Sequence, residues 1–469
     1  MVLRGNYRAY LVPQSGWPAI PMTISANRSQ LVWMPVIGWV LLSCALSPAQ
    51  AQPATATPAH QTLDEQTPYV DIPDAVGSGA YYQPNELGVS FGAFTLFPAL
   101  EVQAGFDSNV YAINTNSTTP IVGSMYALVK PTLELKSEWL NHSLRFLAGG
   151  AFGVYPSAST QNYWNGTLQV DGRLDIREDL YVTGLVGVRR STEPLGTPNT
   201  EFATAPTVVD SIPIEFSLYQ RFNRFFYQLT GSATRYWYYD NSIISTGGLP
   251  AASRNMTGYE ERLRLGYEVT DDFDVWVQPG LQQRVYEQYI NIAGQQRDST
   301  SWMGSVGFTY RFTETTKIEG SIGYQMLQYL ADGSTTPATI FSLTGSWNGY
   351  APLTLRPAFI RTINESAYSN YTNYISSTYG FDFIYDIHDA WQAVGGTSLN
   401  TADYTPANNT VNARTDYYWR TSLGLLYSLR PQVQFGPLYE RTVAWTTDLP
   451  GGGPQYTRDQ ISVRLVTRR

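Results

Sequence analysis

Residues 166–188 read GTLQVDGRLDIREDLYVTGLVGV, and this stretch decides the fold. Apolar or small residues alternate with polar ones up to Ile176, and the alternation resumes at Leu180. A period of two is typical of a β-strand with two unlike faces. The polar residues 177–179 between the two runs predict a tight turn, so the stretch is interpreted as a β-hairpin.

The polar face of this hairpin carries charge. Asp171, Arg173 and Asp175 recur at every second position of one predicted strand. The outer face of a soluble sheet can have this pattern. It is also typical of a transmembrane barrel, in which the apolar face meets lipid and the polar face meets a water-filled lumen. The pattern recurs to the end of the chain behind a predicted secretion signal, which favours the barrel.

The connections between the predicted strands alternate in length. The short ones are 138–141, 177–179, 222–224, 270–272, 313–315, 348–352, 388–389 and 430–431. The longer, polar ones are 109–123, 157–162, 191–201, 240–255, 290–299, 331–337, 365–373, 403–412 and 448–455. The pattern predicts an all-β, antiparallel up-and-down transmembrane barrel of about 18 strands, with 16 as the alternative count and both termini in the periplasm.

Composition fits this class. The chain has 469 residues, of which 43% are hydrophobic, 14% aromatic and only 14% charged, with a mean hydropathy of −0.23. Moderate hydropathy with many aromatics is typical of outer-membrane barrels. The net charge of −8 argues against a nucleic-acid partner. A single cysteine excludes an intramolecular disulfide and a thiolate metal cluster, and no cofactor or metal is expected.

The N-terminus has the features of a targeting segment. Arg28 precedes an apolar run over 31–46, and Ala49 and Ala51 form a small-x-small cleavage motif. The run is shorter than the roughly 20 residues that a membrane helix needs. We expect cleavage after Ala51. A lipoprotein acylated at Cys44 is the less favoured alternative.

Three segments follow from this pattern. Residues 1–51 are the signal peptide region, with Met22 as an alternative start. Residues 52–88 are rich in Pro, Ala and Thr, and acidic residues follow without periodicity, which predicts a disordered periplasmic leader. Residues 89–469 form the predicted outer-membrane barrel.

The first third of the barrel resembles a known family. The motifs are FPAL at 97–100, GFDSNVY at 105–111, KPTLELKSEW at 130–139 and GRLDIRED at 172–179. They are similar to those of the proteobacterial outer-membrane β-barrel porin 2 family, which is often associated with exopolysaccharide biosynthesis. The resemblance implies an outer-membrane barrel and a conduit for glycan, and it brings no catalytic residues.

Eight charged residues share the parity of the predicted inner face. We expect them to line the lumen: Asp171, Arg173, Asp175, Arg262, Arg264, Glu268, Asp382 and Arg464. Two interpretations stay open, because such residues either form a ladder that selects ions or simply solvate the wall and pair across strands.

Two further groups have a functional and a structural interpretation. The aromatic set could stack on sugar rings, although an interfacial girdle is favoured because the set lies beside long connections: Tyr236, Trp237, Tyr238, Tyr239, Tyr286, Tyr289, Tyr417, Tyr418 and Trp419. Asp107 and Asn109 could bind a divalent cation, although a turn closed by the Asp side chain is favoured.

We therefore predict a porin-like channel of the bacterial outer membrane that serves exopolysaccharide export. Its predicted partners are outer-membrane lipids, the polysaccharide and periplasmic export components, and the oligomeric state stays open. The alternative is a non-conducting structural or adhesive barrel. An outer-membrane hydrolase is less favoured, because His60 falls in the leader and His142 and His388 fall at short turns, away from any candidate nucleophile.

Overall fold

A computed structural model describes residues 88–200, 203–239, 249–288, 296–313, 316–350, 352–388, 390–408, 410–447 and 452–469. The predicted signal region and cleavage residues Ala49 and Ala51, the alternative lipidation site Cys44, and residues 52–87 of the leader lie outside this part. Among the described residues, no helix has the length and apolar character needed to cross a bilayer.

Nineteen strands form one sheet within the described ranges. Their bounds are β1 Val89–Phe91, β2 Phe94–Asp107, β3 Ser124–Ser137, β4 His142–Val154, β5 Tyr163–Arg177, β6 Leu180–Glu193, β7 Thr207–Phe222, β8 Phe225–Tyr239, β9 Met256–Thr270, β10 Phe273–Tyr286, β11 Ser299–Arg311, β12 Lys317–Tyr329, β13 Thr335–Tyr350, β14 Leu353–Glu365, β15 Tyr371–His388, β16 Trp391–Pro406, β17 Arg414–Arg430, β18 Val433–Thr446 and β19 Tyr456–Arg468. The first strand is a three-residue hairpin partner of β2. The other eighteen form the barrel.

The barrel closes where its last strand meets its first. β19 pairs antiparallel with β2, with Arg464 opposite Gln103 and Val463 opposite Ala104. Every other barrel strand that the structure describes pairs antiparallel with its neighbours in sequence. The predicted all-β, up-and-down barrel of about 18 strands is therefore confirmed.

Short connections occupy one end of the barrel and long ones the other. Each predicted short connection joins two strands that pair with each other, and both β2 and β19 have their outer chain ends on this side. The turn between β7 and β8 is only two residues long, and Asn223 there has φ +55°. Asparagine tolerates this left-handed conformation, which suits the twist of a tight hairpin.

The two faces of the wall differ as the alternation predicts. In β5, Leu168, Leu174 and Ile176 are more than half exposed. Arg173 and Asp175 between them are partly buried. An apolar outer surface that runs round the barrel is the surface that a bilayer covers.

Most of the buried clusters that the structure describes lie at the end that carries the long connections. Buried clusters of mainly tyrosine side chains fill this end: Tyr236, Tyr238, Met256 and Tyr286; Tyr368, Tyr371, Tyr374 and Tyr404; Val110, Tyr126 and Tyr155; Leu327, Tyr329 and Ile363; Tyr418 and Tyr456. These residues lie in strand ends and in the connections themselves. Side chains therefore narrow the mouth of the barrel at this end.

Candidate functional site

The eight predicted wall charges share one face. All lie on the strand face opposite the exposed apolar side chains and are buried or partly buried: Asp171, Arg173, Asp175, Arg262, Arg264, Glu268, Asp382 and Arg464. On the opposite face, each arginine near the bilayer midplane would cost about 2–4 kcal/mol. That these eight line a water-filled passage stays a prediction.

Ion pairs across neighbouring strands neutralise the wall at β3–β5. Arg145 Nη2 lies 2.8 Å from Asp171 Oδ1, and its Nη1 lies 3.3 Å from Glu134 Oε1. Arg173 Nη2 lies 2.6 Å from Asp175 Oδ1 along the same strand. Because these groups pair with each other, the net electrostatic field at this part of the wall is small.

A second set of pairs lies on β7, β9 and β12. Arg262 Nε lies 2.9 Å from Glu260, and its Nη2 lies 4.0 Å from Glu215. Arg264 Nη2 lies 2.9 Å from Glu319, and its Nε donates to Gln278 at 2.9 Å. The guanidinium of Arg264 also stacks on Trp276, with its central carbon 3.9 Å from the ring centroid.

The remaining three predicted residues differ in exposure. Glu268 lies 3.5 Å from Arg221 Nη1, and the arginine side chain is 43% exposed. Asp382 and Arg464 are 8% and 1% exposed, so both are packed into the wall. The geometry of the wall thus favours the interpretation of pairing across strands over an ion-selective ladder.

The predicted aromatic set divides by strand parity. The inner group is Tyr236, Tyr238, Tyr286 and Tyr418, all of them buried. The outer group is Trp237, Tyr239, Tyr417 and Trp419, of which Tyr239 and Trp419 are about half exposed. Tyr289 lies outside the described residues. The girdle interpretation therefore fits the outer group, and the inner group remains as a candidate surface for sugar.

A tyrosine cluster near β14–β16 was not predicted. Tyr374 is completely buried, and its ring centroid lies 5.1 Å from that of Tyr404. Tyr368 and Tyr371 approach the same ring at 5.3 Å. Two of these residues lie at or before the start of β15, where strand parity gives no direction. The recurrence of tyrosine at every third position over 368–374 is the signal that could have indicated them.

A segment of the β6–β7 connection, residues 194–200, reaches the far side of the mouth; we call it the strap. Asn199 Nδ2 donates to the backbone oxygen of Glu365 at 3.1 Å, and Asn199 Oδ1 accepts from the backbone N–H of Ala367 at 3.0 Å. Around the barrel, the eight described strands β7 to β14 separate the β6–β7 connection from the β14–β15 connection on one side. The ten described strands β15 to β19 and β2 to β6 separate them on the other side. The strap therefore spans the mouth.

The middle of the strap is attached to a third part of the rim. Tyr456, the first residue of β19, donates its hydroxyl to the backbone oxygen of Gly196 at 2.6 Å. Gly196 has φ +86°, and a Cβ added there would lie 2.6 Å from the Cβ of Ala112 and from the Tyr456 hydroxyl. Glycine is thus required by both conformation and space.

Buried ion pairs surround the strap. Arg254 Nη1 and Nη2 each lie 2.8 Å from a carboxylate oxygen of Glu193, the residue before the strap. Burial lowers the pKa of Arg254, but the carboxylate of Glu193 outweighs it and the net pKa is raised. The guanidinium, which comes from the β8–β9 connection, therefore stays charged beside the β6–β7 connection.

Glu365, whose backbone oxygen accepts from Asn199, lies between two arginines. Arg284 Nη1 lies 2.8 Å from Oε1, and Arg297 Nη2 lies 3.0 Å from Oε2. Burial lowers the pKa of Arg297, but Tyr286 and Glu365 give a net increase. This charged cluster fixes the surface on which the strap ends, and no periodicity in the sequence indicates it.

The geometry at Asp107 and Asn109 fits a turn closed by the Asp side chain. Asp107 Oδ1 accepts from the Asn109 backbone N–H at 3.0 Å, which is the predicted turn geometry. Its Oδ2 accepts from Arg458 Nε at 2.8 Å and from Gln460 Nε2 at 2.9 Å. Both carboxylate oxygens are therefore occupied by protein donors.

The described histidines lie at the short-turn end, as their sequence positions indicate. His142 and His388 are exposed, and His142 Nδ1 accepts from the Asp175 backbone N–H at 3.1 Å. His60 lies outside the described residues. Neither described histidine lies in the long-connection end of the barrel.

Comparison with known proteins gives one family match. The family model described as "Putative beta-barrel porin 2" matches residues 82–469. No curated protein matches the sequence. Among solved structures, OccAB3 of Acinetobacter baumannii is 11% identical, with a TM-score of 0.42 and coverage of 80% of this chain and 99% of that one. OpdK of Pseudomonas aeruginosa is 10% identical, with a TM-score of 0.43 and coverage of 80% and 99%.

Proposed function

The chain belongs to the beta-barrel porin 2 family and is a porin-like barrel of the bacterial outer membrane, and on this premise we propose that it passes a neutral, hydrated saccharide polymer. The cargo class is that of an exopolysaccharide, and the direction is export. The observation that carries the proposal is the pairing of opposite charges along the inner wall. A wall without one dominant sign neither captures nor repels a neutral chain strongly.

The paired wall distinguishes this cargo from a charged one. Arg145 with Asp171 and Arg264 with Glu319 each place both signs within 3 Å of one another, at 2.8 and 2.9 Å. An ion-selective pore instead presents rings of one sign. The hydroxyl groups of a hydrated saccharide can form hydrogen bonds with these ion pairs, and each charge in the pair keeps its partner.

The inner tyrosines supply the second argument. Tyrosine offers a flat apolar face and a polar hydroxyl, which suits a surface that is apolar on one side and wet on the other. Tyr236, Tyr238, Tyr286 and Tyr418 lie at the narrow end of the barrel. In the proposed passage, a sugar ring meets their aromatic faces and hydroxyls when the connections that bury them move aside.

Single-channel recording in planar bilayers tests the proposal. We expect discrete current steps that neutral oligosaccharides interrupt, with interruptions that lengthen as the oligosaccharide grows. Uronic-acid oligosaccharides of matched length are the control and should interrupt the current less often. Equal or stronger block by the anionic series would overturn the assignment of a neutral cargo.

A non-conducting structural or adhesive barrel is the second candidate, and the strap favours it. Residues 194–200 bridge opposite sides of the mouth and narrow any passage there. A barrel of this kind would give no current steps with the strap in place or detached. Recording from both forms therefore separates the two functions.

Polymer export also requires a feeder on the periplasmic side, so we propose that export components dock at the short-turn end. Outer-membrane lipids are the partners of the apolar outer face. A photo-crosslinking side chain at Glu178, which is exposed in the β5–β6 turn, should capture such a component in cells. The same side chain at Asp332, exposed in the β12–β13 connection, should not. Equal capture at both positions would contradict this docking site.

A further inference from the structure

We propose that the strap is a displaceable gate that opens and closes over the outer mouth of the barrel, with the closed state favoured when no cargo is present. The inference rests on the proposed function in one respect, since a gate requires a passage behind it. The strap leaves one rim of the mouth after Glu193 and is bonded to two others.

The shape of the strap is fixed by two residues with positive φ. Gly196 has φ +86° and Asn199 has φ +69°. Glycine adopts the left-handed backbone conformation readily, and asparagine tolerates it. For other residues this conformation is unfavourable. The chain thus has a tightly bent path across the mouth, with the Asn199 carboxamide directed at its receiving surface.

The strap is buried although it belongs to a connection. Leu195 is 5% exposed, Thr197 8% and Thr200 2%. Thr200 Oγ1 accepts from the Thr197 backbone N–H at 3.1 Å and donates to the Thr197 backbone oxygen at 2.7 Å. The segment therefore carries its own internal hydrogen bonds, which it retains when it moves as a unit.

The described attachments of the strap across the mouth include hydrogen bonds between neutral groups, beside the buried side chain of Leu195. Asn199 makes two hydrogen bonds to the β14–β15 connection, and Gly196 accepts one from Tyr456. Water or the hydroxyl groups of a saccharide can replace each of these partners. A polar attachment of this kind is reversible, because each neutral hydrogen bond contributes only modestly once water competes for it.

The receiving surface is fixed more firmly than the strap. Arg297 Nη2 donates to the Ser366 backbone oxygen at 2.5 Å as well as pairing with Glu365. The Ala367 backbone oxygen accepts from the Leu249 N–H at 2.9 Å. Because the β14–β15 connection is anchored by these contacts, the strap is the element that moves.

Two variants test the gate by single-channel recording. Asn199→Gly removes both hydrogen bonds to the far rim and tolerates the positive φ, so the ratio of open to closed time should rise roughly tenfold. Exchange of residues 195–200 for a Gly-Ser segment of equal length should produce a larger rise. Asp332→Ala, at an exposed position of a different long connection, is the control and should leave the ratio unchanged.

A cross-link tests the opposite direction. Cysteines at Asn199 and Ala367, joined by a short thiol cross-linker and verified by mass spectrometry, should hold the channel shut until the linker is cleaved. The folded state of each variant is checked by its heat-dependent gel mobility, and only folded protein is recorded.

The outcomes separate the gate from the channel. Open steps that are equal in the parent, the Gly-Ser variant and the cross-linked protein overturn the gate and leave the channel intact. Silence of both the parent and the Gly-Ser variant overturns the gate and the channel together. Activity that appears or rises when the strap is released, and stops when it is cross-linked, is the result that we expect.

Discussion

Arg254 and Glu193 form a buried, bidentate ion pair in which both N–O distances are 2.8 Å. Their side chains are 10% and 8% exposed. The arginine belongs to the β8–β9 connection, and the glutamate ends β6 immediately before the strap. The guanidinium also lies 4.1 Å from the ring centroid of Tyr238. The pair thus joins the end of β6 to the β8–β9 connection at the base of the strap.

Removal of one partner should destabilise the barrel. Arg254→Met leaves the Glu193 carboxylate buried without its cation, which should cost about 3–5 kcal/mol in the free energy of unfolding. Urea unfolding in lipid vesicles measures this cost. Arg177→Met is the matched control, because Arg177 and Asp179 are 45% and 40% exposed at a turn and such a pair contributes only about 0–1 kcal/mol. Equal costs for the two variants would contradict the importance of the buried pair.

The strands and their connections could be predicted because each is a local pattern. The run from Leu168 to Ile176 alternates with a period of two, and in a barrel this period alone sets which face meets lipid. The same parity separates Tyr236 and Tyr238 from Trp237 and Tyr239. The girdle interpretation fits only the outward-facing members, because proximity to a long connection does not determine the face, and the inward-facing members remain the better candidates for sugar.

The strap could not be predicted, because its contacts have no local signal. Asn199 contacts Ala367 across 168 positions of sequence, and Tyr456 contacts Gly196 across 260. Connections have no alternation from which to read an inward or outward direction. A Gly and an Asn within one polar connection are typical of ordinary turns, so their roles in crossing the mouth follow only from the positions of both rims.

Processing should produce a mature chain that begins at Gln52. The small residues Ala49 and Ala51 place the cleavage site there, and they lie outside the described residues. Mass spectrometry of protein extracted from outer membranes should find this N-terminus without lipid. Ala51→Pro, which should block cleavage, is the variant that tests the site. A mature chain that carries acyl groups on Cys44 would show the lipoprotein alternative instead.

The two ends of the barrel should differ in access from outside the cell. Asp332→Cys places a thiol in an exposed long connection, and Glu178→Cys places one in an exposed short turn. A thiol reagent that cannot cross membranes should label the first in intact cells and the second only after the outer membrane is opened. Because alternating connection lengths assign the long ones to the cell surface, labelling of Glu178→Cys alone in intact cells would reverse the topology.

The inner wall should become cation-selective when its arginines are neutralised. Arg262→Gln with Arg264→Gln leaves the carboxylates that face them, including Glu260 and Glu319, without counter-charge. The reversal potential across a salt gradient should then show a rise of about two- to fivefold in the ratio of cation to anion permeability, because lumen substitutions tune selectivity. Arg441→Gln is the control, since Arg441 is about half exposed at 52% and shares the parity of the outward-facing Tyr439. An unchanged ratio in the folded double variant would mean that ions do not pass these side chains.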